Sequence, residues 1–260
     1  MNNKYQNTYK SEVQKRLVPI LDGSVVNEED IEHLPNVVQK YLRYVGAIGK
    51  PKVHNFRAVN MGSMRRTVKS NWMDINSQQY NFFDDLARFF YIKSAIFGIP
   101  FDGLHVYASN SATMKIKVAS LFQIVDAKGE KMNQSENVTL FNDMCLYAPA
   151  TLLDNNIQWE TIDPLTVKAR FTHNNIPISA SLYFNEIGEM INFMSEDRYL
   201  SPDGKTYSNY RWSTPIKDYK EFDGRKVPTY GEAIWHMPEG DYLYAKFTLK
   251  EIEYNTIEYK

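Results

Sequence analysis

The stretch PISASLYFNEIG, residues 177–188, decides how this chain folds. Ile178, Ala180, Leu182 and Phe184 alternate with Ser179, Ser181, Tyr183 and Asn185, so every second side chain is apolar. A period of two belongs to a strand, whose successive side chains leave opposite faces of a sheet. The Asn-Glu-Ile-Gly at its end supplies turn residues where the next strand doubles back. One dry face and one wet face indicate antiparallel pairing, because a parallel sheet is covered on both sides and reads as a continuous apolar run.

The same pattern recurs in both directions. In ATMKIKVAS (112–120), Met114, Ile116 and Val118 alternate with Lys115 and Lys117. In YLYAKFTLKEIEY (242–254), Leu243, Ala245, Phe247 and Leu249 share one face, and Tyr244, Lys246 and Thr248 the other. NEIG, SPDG, EFDG and PEGD punctuate the later strands with turn residues. About ten strands are expected between residues 53 and 257, as a meander of hairpins. No repeat, linker or low-complexity tract interrupts them, so a single domain over 1–260 is the simplest organisation.

Two regions depart from this period. Residues 1–50 read as a helical packing segment. Asn27 is placed to cap EEDIEHL, and Val37, Val38, Tyr41, Leu42 and Val45 recur at helical spacing before Gly46 stops the helix. The second region is LFNDMCLYAPATLLD (140–154), where Phe141, Met144, Cys145, Ala148 and Leu152 form a helical stripe that Asn142 and Asp143 do not share. Pro149 suits the first position of a new turn, so a helical insertion near 140–153 with a bend at Ala148-Pro149 is expected.

Composition narrows the function. With 43% apolar and 23% charged residues the chain is an ordinary globular protein. Thirty Lys and Arg against 31 Asp and Glu leave a formal charge of −1, which excludes a global field for nucleic acid. The amino terminus lacks an apolar signal core, and no run of about 18 apolar residues occurs. A cytoplasmic protein without a membrane span is expected, with a monomer the default state. The Asn137-Val138-Thr139 sequon is then without consequence.

No motif in the sequence is specific for catalysis. Cys145 is the single cysteine, and its position on the apolar stripe makes it a core residue, not a nucleophile. The histidines (His33, His54, His105, His173, His236) show no metal-ligand spacing, so neither metal nor cofactor is expected. Glu196, Asp197 and Arg198 sit together before a turn, where neighbours on a strand diverge and a local ion pair or a turn-stabilising role is the simplest reading. His105 and Asp143 are the polar residues assigned to a pocket rim. Aromatic residues are abundant, at 14% with 18 Tyr and 14 Phe, which suits either a large β core or a greasy concave face.

Several segments carry a resemblance. LPNVVQKYLRYVGAIGKP, QYNFFD, FGIPFDGLHVY, LFNDMCLYAPATLLD and EAIWHMPEGDYLYAKFTLKEIEYN resemble a bacterial family of unknown function, with the likeness running from about Leu34 to Asn255. More distantly, the order APATLLD, ISASLYFNEIGEMINFMSEDRYLSPDGKTYSNYRW, FDGRKVPTYGEAIW is similar to the carboxy-terminal half of LolA-type lipoprotein carriers. That resemblance implies an α+β, mainly antiparallel fold: a curved half-barrel sheet capped by helices over a hydrophobic cavity. Met114, Ile116, Leu182, Phe184, Leu243 and Phe247, on the dry faces of successive hairpins, are the expected ligand-binding residues. Non-catalytic binding of a lipid or acyl chain is the leading expectation. A hydrolase-like enzyme with its polar site at the rim, and an interaction module without a small ligand, are the competing classes.

Overall fold

The computed structural model describes residues 4–96, 98–118 and 122–260. Residues 1–3, Phe97 of the aromatic-rich stretch, and Ala119 and Ser120 at the end of ATMKIKVAS lie outside the described residues.

Three helices come first: α1 (Lys4–Gln14), α2 (Glu28–Ile31) and α3 (Asn36–Tyr44). Six strands follow: β1 (Asn55–Met64), β2 (Met73–Phe82), β3 (Ala87–Ile96), β4 (Ile99–Ala108), β5 (Ser111–Val118) and β6 (Phe122–Lys128). Helix α4 (Glu130–Tyr147) and a 3-10 turn (Pro149–Leu153) lead into β7 (Ile157–Asp163), β8 (Thr166–His173), β9 (Ile176–Phe184) and β10 (Met190–Ser195). The short pair β11 (Tyr199–Leu200) and β12 (Ser208–Asn209) precedes the long strands β13 (Arg211–Phe222), β14 (Arg225–Met237) and β15 (Gly240–Tyr254).

Thirteen of the strands described form one sheet, in the order β6-β5-β4-β3-β2-β1-β15-β14-β13-β10-β9-β8-β7, while β11 and β12 pair by themselves. Every pairing is antiparallel, as the alternation requires. The edge strands β6 and β7 are consecutive in sequence, so α4 must carry the chain from one edge to the other. Eighteen residues of helix span about 27 Å. The sheet is curved and not closed, and α4 lies against both of its arms, touching β5 and β6 on one side and β8 and β9 on the other. Bulges at Val59/Asn60 and Ala233/Ile234 sit in its central strands, where an extra residue adds twist.

The turns explain the tight meander. Ser109-Asn110, Asn174-Asn175 and Asp223-Gly224 each place two successive residues at positive φ between paired strands, the type I′ geometry that matches strand twist. At the end of α3, Gly46 (φ +70°) donates to Arg43 O and Ala47 to Leu42 O, a Schellman stop. A Cβ on Gly46 would lie 2.7 Å from the Gly224 carbonyl, so this contact between α3 and the β13–β14 turn requires glycine. At α2, the Asp30 carboxylate accepts the Asn27 backbone N–H at 2.8 Å, the acidic half of a capping box.

Three expectations need correction. The strands described number fifteen rather than about ten, because β2, β3 and β4 are covered on both faces and their alternation is blurred. Tyr5, Tyr9 and Val13 of α1 bury Tyr80, Phe82, Phe89, Tyr91 and Leu104 on the convex side. The helical insertion starts at Glu130, ten residues earlier than the apolar stripe indicated, although its bend at Ala148-Pro149 stands where expected. Asn142 and Asp143, off that stripe, are also buried, so α4 has two inner faces.

Candidate functional site

Helix α4 meets the two arms of the sheet differently. Towards β8, β9 and β10 it packs solid: Phe141 stacks on Phe171 at 5.2 Å and meets Phe193 at 5.8 Å. Tyr41 of α3 closes the same region, its ring 5.5 Å from Phe184 and its hydroxyl donating to the Cys145 carbonyl at 2.7 Å. Towards β3, β4, β5 and the central strands, a cavity of about 300 Å³ remains.

The cavity wall is largely apolar. Phe90, Ile92, Phe101, Met114 and Ile116 line one side, Trp212, Trp235, Tyr242, Tyr244 and Phe247 the other. The α4 face over it is Met132, Ser135, Glu136, Thr139, Asn142, Asp143 and Leu146, a helical spacing made mostly of polar residues. Leu200 and Tyr207, from the β11–β12 hairpin, complete the enclosure.

A charged cluster sits in this wall. Arg88 of β3 donates through Nε to Asp143 Oδ2 at 2.7 Å and through Nη1 to Glu136 Oε2 at 3.2 Å. Gln79 and Asn81 of β2 donate to the same Asp143 oxygen at 2.6 and 3.1 Å. His105 Nδ1 stands 3.7 Å from Glu136 Oε1. Burial pushes Asp143 above the usual carboxylate range, with Arg88 only partly opposing it. Burial acts on Glu136 in the same sense, but Arg88, His105 and Arg198 together outweigh it and hold that carboxyl well below the usual range. Two carboxylates pushed apart resemble an acid and base pair. Here each is hydrogen-bonded by Arg88, one cation shared between two carboxylates.

The sequence-derived site residues divide. Met114, Ile116 and Phe247 line the cavity, as do His105 and Asp143. Leu182 and Phe184 lie in the packed arm, 0% and 3% exposed, outside the cavity wall. Leu243 is also outside it. Ala233 pairs with Ala245 but Ile234 with Leu243, so Tyr244 is an inserted residue and the alternation slips: Tyr242 faces the cavity in place of Leu243. Cys145 is fully buried and its thiol pushed far up by burial, with Asp143 adding to it, which is the state of an inert core residue. Glu196 and Asp197 diverge, Glu196 pairing Arg211 at 3.0 Å and Asp197 accepting the Ser179 N–H at 2.6 Å, so the two carboxylates do not converge.

Sequence reasoning did not single out Arg88, Glu136, Gln79, Asn81 or the two tryptophans. The available signal was Met132, Glu136, Thr139, Asp143 and Leu146 at helical spacing. A second missed arrangement is Ser213 Oγ at 2.8 Å from His236 Nε2, with His236 Nδ1 at 2.7 Å from Asp241 Oδ1, the order of a hydrolytic triad. Ser213 alternates with cavity-lining Trp212 and Thr214 and is only 1% exposed. Its hydroxyl therefore has no access to a substrate, and the three residues tie β13, β14 and β15 together. Among the described residues, no group of His, Cys, Asp and Glu is placed to hold a metal, and no helix is long and apolar enough to cross a membrane.

Sheet, helix and cavity together define an open antiparallel half-barrel, spanned by one helix, with a mainly apolar pocket and a charged cluster in its wall. The chain belongs to DUF6544, a family of unknown function whose model matches residues 24–247. No curated protein matches it. Among solved structures it is similar to a LolA superfamily protein from Nitrosomonas europaea, with 8% identity, TM-score 0.46, and 84% of this chain and 93% of that one covered. It is similar also to a DUF1329 family protein from Desulfovibrio piger, with 10% identity, TM-score 0.47, and coverage of 84% and 91%. The family of unknown function and the LolA likeness are thus those that the sequence segments indicated.

Proposed function

We propose that the protein binds a hydrophobic small molecule, a lipid or acyl chain, between α4 and the β3–β5 side of the sheet, without chemical turnover. The observation that carries this is the asymmetry around α4: the same helix packs solid on one arm and leaves about 300 Å³ on the other. Protein interiors ordinarily hold few voids larger than a water molecule, and unfilled space costs stability. A space at the lower end of the roughly 300–1,000 Å³ typical of ligand sites, walled by aromatic and aliphatic side chains with a few polar groups, fits an occupant.

Native mass spectrometry of the purified protein, before and after organic extraction, tests the reading together with titration of phenylnaphthylamine. An extractable apolar adduct and saturable probe binding that is insensitive to salt are expected, since the contacts are apolar. No adduct, with absent or non-saturable probe binding, would reject it.

A further inference from the structure

We propose that the bound molecule is an anionic amphiphile whose carboxylate or phosphate head is held by Arg198. This rests on the hydrophobic-ligand reading and adds the head group to it.

Arg198 lies in the cavity wall just before the β11–β12 hairpin. Its guanidinium carbon is 4.3 Å from the Trp212 ring centre and 5.1 Å from that of Trp235. Two aromatic faces hold the group in place, but they do not neutralise it. Its hydrogen bonds are long and go to hydroxyls: Nε to Thr139 Oγ1 at 3.3 Å and Nη1 to the Tyr244 hydroxyl at 3.4 Å. The acids beside it in sequence are engaged elsewhere, Glu196 with Arg211 and Asp197 with the Ser179 N–H. Among the described residues Arg198 makes no salt bridge, whereas Arg88 in the same wall makes two.

The other acids of the cavity are also occupied. Glu136 and Asp143 share Arg88, and Glu232 accepts the Tyr230 hydroxyl at 2.7 Å. The field of Glu136 reaches Arg198 without pairing it. Ser201, also in the wall, has its Oγ shut off from solvent and without a hydrogen-bond partner among the described residues. A half-buried guanidinium without a counter-ion is costly, and its flat fork matches carboxylate and phosphate oxygens. Glu136 and Asp143, by contrast, already have Arg88 as a counter-ion.

Displacement of phenylnaphthylamine by dodecanoate, dodecyl phosphate, dodecanol and dodecylammonium tests the head group. In the unmodified protein one or both anions should bind at least about tenfold more tightly than dodecanol, the worth of one charge-assisted hydrogen bond. Arg198→Gln should bring the anions down to that variant's own dodecanol level, and continued dodecanol binding shows that the tail pocket is intact. If that variant also loses dodecanol, Arg198→Lys decides, since it should keep dodecanol binding and lose part of the anion preference. Dodecanol or dodecylammonium binding as tightly as the better anion, or Arg198→Gln retaining the preference, would overturn the proposal. Failure of all four to displace a bound probe, or absence of probe binding, would instead remove the hydrophobic-ligand reading beneath it.

Discussion

Arg88 Nε donates to Asp143 Oδ2 across 2.7 Å, joining the start of β3 to the cavity face of α4, with both side chains almost wholly buried. The same guanidinium reaches Glu136, about two helical turns earlier. This cation therefore anchors the helix over the part of the sheet that walls the cavity. Breaking a buried pair from one side leaves charges without compensation, which costs about 3–5 kcal/mol. Arg88→Leu should lose stability on that scale in urea unfolding. Asp143→Asn should lose less, because Arg88 keeps Glu136. Equal losses would mean that Glu136 contributes nothing to the anchor.

The two carboxylates should leave opposite signatures in stability against pH. Asp143 is raised, so the folded state holds its proton more tightly than the unfolded state does. Its contribution is present below the ordinary Asp value of about 3.9 and is lost as pH climbs through the folded value. Glu136 is lowered, so its contribution is present above the ordinary Glu value of about 4.3 and is lost as pH falls through the folded value. Relative to the unmodified protein, Asp143→Asn should remove a loss on the alkaline side of pH 3.9, and Glu136→Gln a loss on the acid side of pH 4.3. Urea midpoints measured from acid to neutral pH check this, and a parallel response of the two variants would contradict it.

Cys145 should behave as a small apolar residue. It is fully exposed only on unfolding, and burial disfavours its thiolate. Iodoacetamide at neutral pH should leave the native protein unmodified and label it in denaturant. Cys145→Ser puts a hydroxyl in an apolar place and should cost about 1–3 kcal/mol. Rapid native labelling would contradict the packing described.

What could be read from the sequence follows from how local each signal was. The alternation through Met114, Ile116 and Phe247 placed them on the inner face, because the period of two is unbroken from Met114 to Ile116 and from Ala245 to Phe247. It failed at Leu243, where one inserted residue, Tyr244, reverses the faces. The first ten residues of α4 were missed because Ser135, Glu136, Asn137 and Thr139 are buried polar groups, and a stripe defined by hydrophobicity cannot include them. Their partners lie far off in sequence: Arg88 is 48 residues from Glu136, and Gln79 is 64 from Asp143. Such pairings become visible only when β2 and β3 lie beside the helix that crosses them.

The sharpest contrast lies between Ile116 and Leu182, two apolar residues that the alternation treats alike. Ile116 stands in the cavity wall on β5, half-buried, with space before it. Leu182 is fully buried on β9, in the core that α3 and α4 close. A larger side chain at the first position should enter the cavity, and at the second it must displace its neighbours. Ile116→Trp should therefore abolish phenylnaphthylamine binding with stability unchanged or raised. Leu182→Trp should overpack the solid arm, lowering stability by about 1–3 kcal/mol while the probe still binds. Urea curves and probe titrations on the same preparations read both effects. If Ile116→Trp destabilises the protein and Leu182→Trp blocks the probe, the ligand occupies the other arm of the sheet, between α4 and β8–β10, where the side chains of Phe141, Phe171 and Phe193 would have to separate to admit it.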